Sequence, residues 1–207
     1  MRLFAAVVPP PAAIRELAAA VAPLHALPQA AALRWTGEPT WHLTLAFLGQ
    51  VDAEDLEPLR GRLATAAASV ARTPRLRLVG SGRFGERALW AGVEGDMPAL
   101  RRLADEVAKA ARNTGIDVDE RPFQGHLTLA RAGGRSGPPT AAGKGLRALA
   151  GALADFSGTE WPATSLRLMR SHLGTGPAHY ETVAEWALGT AGPESEPESA
   201  SASAEPL

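Results

Sequence analysis

The sequence predicts an α+β fold made of two similar lobes of antiparallel sheet with flanking helices, related by a pseudo-twofold with a cleft between them. Three observations predict it. Short alternating apolar runs of strand character recur along the chain, Ala/Leu/Arg-rich stretches with helical spacing lie between them, and one pentapeptide occurs twice.

The elements follow in order. Residues 2–8 form an apolar run that the prolines at 9, 10 and 11 end well short of the ~18 residues a membrane span needs, so it reads as a buried strand. Further strand-like runs lie at 32–36, 42–48, 75–80, 88–93, 126–131, 164–170 and 180–188. Helical spacing marks 11–26, 53–71, 97–114 and 142–153; Asp52 stands as a cap for the second helix, with Asp55 in its first turn. Gly115 stops the third helix, and Asp117 to Pro122 make a polar approach to the next strand. Residues 132–145 hold five glycines and two prolines and read as a mobile surface loop. From Thr190 the chain offers almost nothing apolar to set against the entropy of ordering, so 190–207 is expected to be a disordered tail behind a bilobal domain at 1–189.

Composition narrows the chemistry. Of 207 residues, 45% are hydrophobic and 21% charged, a globular profile. The chain has no cysteine, which excludes disulfides, thiolate zinc sites and a cysteine nucleophile. A formal net charge of −1 argues against nonspecific coating of nucleic acid, which rests on many Lys and Arg contacts to phosphate, but leaves room for a pocket around one phosphate. No signal peptide or apolar span is evident, which makes a cytoplasmic location the expectation, with no membrane association and a monomer as the default state.

The repeat carries the function. His42-Leu43-Thr44-Leu45-Ala46 recurs identically as His126-Leu127-Thr128-Leu129-Ala130. On a strand, His42 and Thr44 share one face while Leu43 and Leu45 anchor the other, and the second copy repeats the arrangement. Core building explains recurring leucines; it does not demand His-x-Thr on the polar face both times. Two facing imidazoles suit phosphodiester chemistry, because one can take a proton from water while the other gives one to a leaving oxygen, and a reference pKa near ~6.5 makes both states accessible. Thr44 and Thr128 can donate to non-bridging phosphate oxygens.

These residues resemble the two-histidine (2H) phosphoesterase superfamily, and within it the RNA 2′,3′-cyclic phosphodiesterases, also called 2′-5′ RNA ligases. The match extends over Arg2-Leu3-Phe4-Ala5-Ala6-Val7, the block from Leu33 through Trp41 to Gly49, Gly82-Arg83-Phe84-Gly85, Leu89-Trp90-Ala91-Gly92-Val93, Phe123, Arg131, Ser171-His172-Leu173 and Tyr180. The resemblance implies hydrolysis of RNA 2′,3′-cyclic phosphate ends to 2′-phosphates without metal or cofactor, on RNA ends such as tRNA fragments or on small cyclic nucleotides. It assigns His42 as proton donor and His126 as proton acceptor, which the repeat itself leaves interchangeable. Gln124-Gly125 departs from the family, which often has proline before the second histidine, and predicts a looser strand entry.

Other residues have plainer readings. Strict alternation puts Arg131 on the face opposite His126, so its phosphate-binding role requires the strand to end or twist there. His25, His172 and His179 lack a repeated context and read as structural or solvent-facing, and Trp35 and Trp41 as packing residues. Phe4 and Phe47 are candidates for base stacking, though buried phenylalanines more often build cores. Residues 142–145 lack the Walker spacing. A metal site finds no second strong ligand beside either histidine, and no carboxylate lies within four residues of His126. A noncatalytic RNA-end binder would be served better by permanently charged arginine or lysine than by paired proton-transfer groups.

Overall fold

The computed structural model of the protein describes residues 1–119, 121–132, 142–172 and 178–189. The expected tail at 190–207 and most of the glycine-rich loop at 132–145 lie outside the described residues. Strands β1 (Arg2–Val7), β3 (Leu43–Gln50), β8 (Ser165–His172) and β9 (His179–Ala187) form one antiparallel sheet in the order β3-β1-β8-β9. Strands β2 (Leu33–Trp35), β4 (Arg75–Phe84), β5 (Ala88–Gly95), β6 (His126–Ala132) and β7 (Trp161–Pro162) form the other, in the order β2-β6-β5-β4-β7.

Two helices exchange lobes. Helix α1 (Pro11–Val21) leaves the first sheet and packs on β4 of the second, where α4 (Ala142–Ala152) also packs. Helix α3 (Met97–Arg112) leaves the second sheet and packs on β3 of the first, beside α2 (Ala53–Ala68). Each motif strand thus returns antiparallel to the strand that preceded its helix, β3 to β1 and β6 to β5.

Helix boundaries follow local chemistry. The 11–26 stretch is α-helical only to Val21 and continues as a 3-10 turn over Ala22–Ala26, because Pro23 has no N–H for the helical ladder. Asp52 takes the N-cap position of α2, but its side chain makes no capping hydrogen bond; the favourable acid is in the first turn, at Glu54 and Asp55.

Alternation along β1 divides the interior. Leu3, Ala5 and Val7 join the main core with Leu43, Leu45, Leu59, Leu63, Leu103 and Val107, while Phe4 and Ala6 face the other way with Met169 and Tyr180. That second face carries the ring floor beneath His42.

Candidate active site

His42 stands immediately before β3 and His126 opens β6. Their surroundings repeat as their sequences do. His42 Nδ1–H donates to the Thr40 carbonyl at 2.7 Å, and His126 Nδ1–H donates to the Gln124 carbonyl at 2.8 Å. A carbonyl only accepts, so each bond puts a proton on Nδ1 and leaves Nε2 as the working nitrogen. Each ring also rests on aromatics: His42 on Phe4 (centroids 4.7 Å apart) and edge-on to Tyr180 (5.3 Å), His126 edge-on to Phe84 (4.7 Å).

Both histidines are held below the ordinary imidazole range. For His42 burial is the largest cause, opposed by the Thr40 bond and reinforced by the positive charges of His126 and Arg131. For His126 burial again leads, opposed by the Gln124 bond and reinforced by Arg131. The glycine before His126 is closely packed. A Cβ at Gly125 would lie 2.5 Å from Val93 Cγ1 and 3.0 Å from Met97 Cε, so a larger residue there would require those side chains to shift.

Strict alternation fails at one position in each motif, and that failure builds the site. Along β6 the register passes from Trp90↔Thr128 to Leu89↔Ala130 and skips Leu129. The β-bulge turns Ala130 into the core and brings Arg131 to the same cavity as His126 and Thr128. Thr36 pins the bulge: its Oγ1–H lies 2.8 Å from the Thr128 carbonyl and 2.9 Å from that of Leu129, and its N–H donates to Leu129 at 2.9 Å. Trp41 Nε1–H in turn donates to Thr36 Oγ1 at 3.0 Å, which gives the buried Trp41 its packing role.

The first motif bulges at the equivalent residue. Ala6 pairs with Thr44 and Ala5 with Ala46, skipping Leu45. The position matching Arg131 is then Phe47, whose side chain is 63% exposed and lines the same cavity. The two lobes therefore agree on His and Thr and differ beyond the bulge, where one offers a guanidinium and the other a bare ring.

The cavity measures about 920 Å³ and brings together His42, Thr44, His126, Thr128 and Arg131. Its lining also includes Phe84, Arg87 and Tyr180, and a wall from α3 with Ala104, Asp105, Ala108 and Arg112, for which the repeat held no signal. The remaining histidines lie apart from it: His25 stacks on Trp35 at 4.2 Å, and His172 bonds Glu181 at 2.9 Å.

A His-x-Thr strand from each of two lobes, meeting at one cleft, is the architecture of the two-histidine phosphoesterases. The chain belongs to the LigT-like phosphoesterase family, whose sequence model matches it twice, over residues 8–90 and 93–179, so that each match contains one histidine motif. It is 37% identical over 160 residues to an RNA 2′,3′-cyclic phosphodiesterase of Geobacillus stearothermophilus, a match covering 74% of this chain and 47% of that protein. It is 30% identical to one of Aeropyrum pernix, covering 72% of this chain and 82% of the relative. The chain thus spans about half the length of the Geobacillus relative. Among solved structures, Escherichia coli LigT complexed with 3′-AMP superposes with a TM-score of 0.67 at 27% identity, covering 91% of this chain and 98% of that one. A crystal structure of a phosphoesterase gives 0.70 at 27% identity over the same shares. Among the described residues no helix is long and apolar enough to cross a membrane.

Proposed function

We propose that the protein hydrolyses RNA 2′,3′-cyclic phosphate ends to 2′-phosphomonoesters, with side chains alone as catalysts. One observation carries this reading: two imidazoles, each with Nδ1–H tied to a carbonyl and Nε2 left free, share one cavity with two threonine hydroxyls and an arginine.

In the proposed reaction a water oxygen bonds to phosphorus as its proton passes to Nε2 of neutral His126. The bond from phosphorus to O3′ breaks, and O3′ takes the proton from Nε2 of His42. One water is consumed, and the product carries a 2′-phosphate and a 3′-hydroxyl; solvent exchange returns both histidines to their starting states. The Thr44 and Thr128 hydroxyls and the Arg131 guanidinium stabilise the charge that gathers on the non-bridging oxygens.

The asymmetry beyond the bulges supports giving His42 the donor's role. In-line attack puts water and O3′ on opposite sides of phosphorus, and O3′ belongs to the nucleoside. An exposed ring at Phe47 suits a stacked nucleobase, which brings the nucleoside to the lobe of His42. Water then lies on the side of His126.

The test is product identity. An oligonucleotide ending in a 2′,3′-cyclic phosphate should be converted to the 2′-phosphate, resolved from the 3′ isomer by phosphorus NMR. A 3′-phosphate product, or binding without turnover, overturns the proposal.

A further inference from the structure

The α3 wall of the cavity is unexplained by proton transfer. Asp105 and Arg112 are both exposed and both line the cavity, seven residues apart on one helix. Seven residues are close to two turns, so they share a face, with Ala104 and Ala108 on the same wall leaving it flat. Helical side chains lean toward the N-terminus, which tips the long Arg112 back toward Asp105. Asp119 and Arg121, which also line the cavity, are occupied with each other. Among the described residues neither Asp105 nor Arg112 makes an ion pair or a side-chain hydrogen bond.

Resting on the reading that a nucleobase stacks on Phe47, we infer that Asp105 and Arg112 read the edge of that base and select guanine. A carboxylate accepts two parallel bonds from guanine N1–H and N2–H, the one edge among the four bases with adjacent donors. A guanidinium donates to guanine O6 and N7. Uracil presents N3–H between two carbonyl oxygens that repel a carboxylate, and adenine and cytosine offer it only one amino group. The small Ala108 between the two charged residues leaves room for a planar ring. Loss of one hydrogen bond to a charged group corresponds to at least about tenfold in the constant that is read.

The experiment measures kcat/KM for the four 2′,3′-cyclic mononucleotides, with isothermal titration of 2′-GMP and 2′-UMP as a readout that does not depend on turnover. The wild-type protein is expected to favour guanosine over uridine by at least about tenfold in both measurements. Asp105→Asn should bring that ratio to within about threefold, and Arg112→Gln should lower it; both positions are exposed, and melting temperatures verify folding. Equal constants for the four bases in the wild type, or an unchanged ratio in Asp105→Asn, overturn the inference. Guanine-selective binding with no turnover of any substrate leaves this inference standing and sinks the hydrolytic reading instead.

Discussion

Thr36→Val tests whether the bulge in β6 is what aims Arg131. Valine keeps the shape of threonine and keeps the backbone bond to Leu129, but removes the hydroxyl that spans the carbonyls of Thr128 and Leu129 and accepts from Trp41. Trp41 Nε1–H retains the Thr36 carbonyl at 3.2 Å, so the indole is not orphaned. The loss is then about two partly buried hydrogen bonds, roughly 1–3 kcal/mol of stability, readable by urea denaturation. The consequence for turnover is separate. If the bulge relaxes toward regular pairing, Arg131 swings to the core side and the proposed bond to phosphate is lost, about 1.5–3 kcal/mol, or roughly 10- to 150-fold in kcat/KM. Arg131→Ala should show the same loss, and the double variant should be no worse than Arg131→Ala alone, because Thr36 acts through the arginine. Losses that multiply in the double variant, or a destabilised Thr36→Val with full activity, would refute the reasoning.

Replacing His42 or His126 by alanine should each lower turnover by at least ~10²-fold in a folded protein, with the double variant far from the product of the two losses. Turnover should survive exhaustive chelation by EDTA, since every proposed acid, base and donor is a side chain; loss restored by zinc or manganese contradicts this. The pH profile of kcat/KM should be a bell centred below the ordinary imidazole value of ~6.5, because burial first, and like charge after it, lowers both histidines. Arg131→Gln removes a charge that lowers both, so it should move the bell to higher pH. A depressed histidine leaves the unfolded chain binding more protons, so stability should begin to fall below pH ~6.5 and go on falling through the lowered folded values, measurable as melting temperature against pH. Deleting residues 190–207 should change melting temperature and turnover little, a proposal that rests on the composition of that segment.

The pair of motif strands was legible because an exact repeat overrides the ambiguity of either copy, and the helices because their spacing is local. What remained hidden depends on register or on distant contacts. Period-two alternation cannot announce a bulge, so the sequence could say only that Arg131 reaches the cleft if the strand ends or twists there, and Thr36, which holds the bulge from 92 residues away in sequence, carries no mark of that role. An amphipathic helix declares that one face is buried without saying against which sheet, so nothing local predicted that α1 and α3 cross to the opposite lobe. The α3 wall was missed for the same reason: nothing in the sequence singled out Asp105 or Arg112, which line the cleft only because the helix crosses to it.

The duplication also bears on how a symmetric frame would support the proposed one-directional reaction. The two copies of His-x-Thr hold equivalent imidazoles, each with the same carbonyl anchor and an aromatic bed, and the proposed mechanism uses them as the two proton-transfer groups. Hydrolysis of a cyclic phosphate is not symmetric, because water enters at one end of the line through phosphorus and the sugar oxygen leaves at the other. Direction must come from residues that differ between the copies. The bulge provides the place: it turns the residue after each pentapeptide, Phe47 or Arg131, into the cavity and outside the packed core of the strand. Exchanging those residues is therefore the sharpest probe of direction. Phe47→Arg with Arg131→Phe keeps both histidines and both threonines while reversing the cues for base and phosphate. If direction resides there, removing His42 should now cost the variant what removing His126 costs the parent when water attack is isolated with a substrate bearing a good leaving group. An unchanged division of roles would place the asymmetry elsewhere in the cleft.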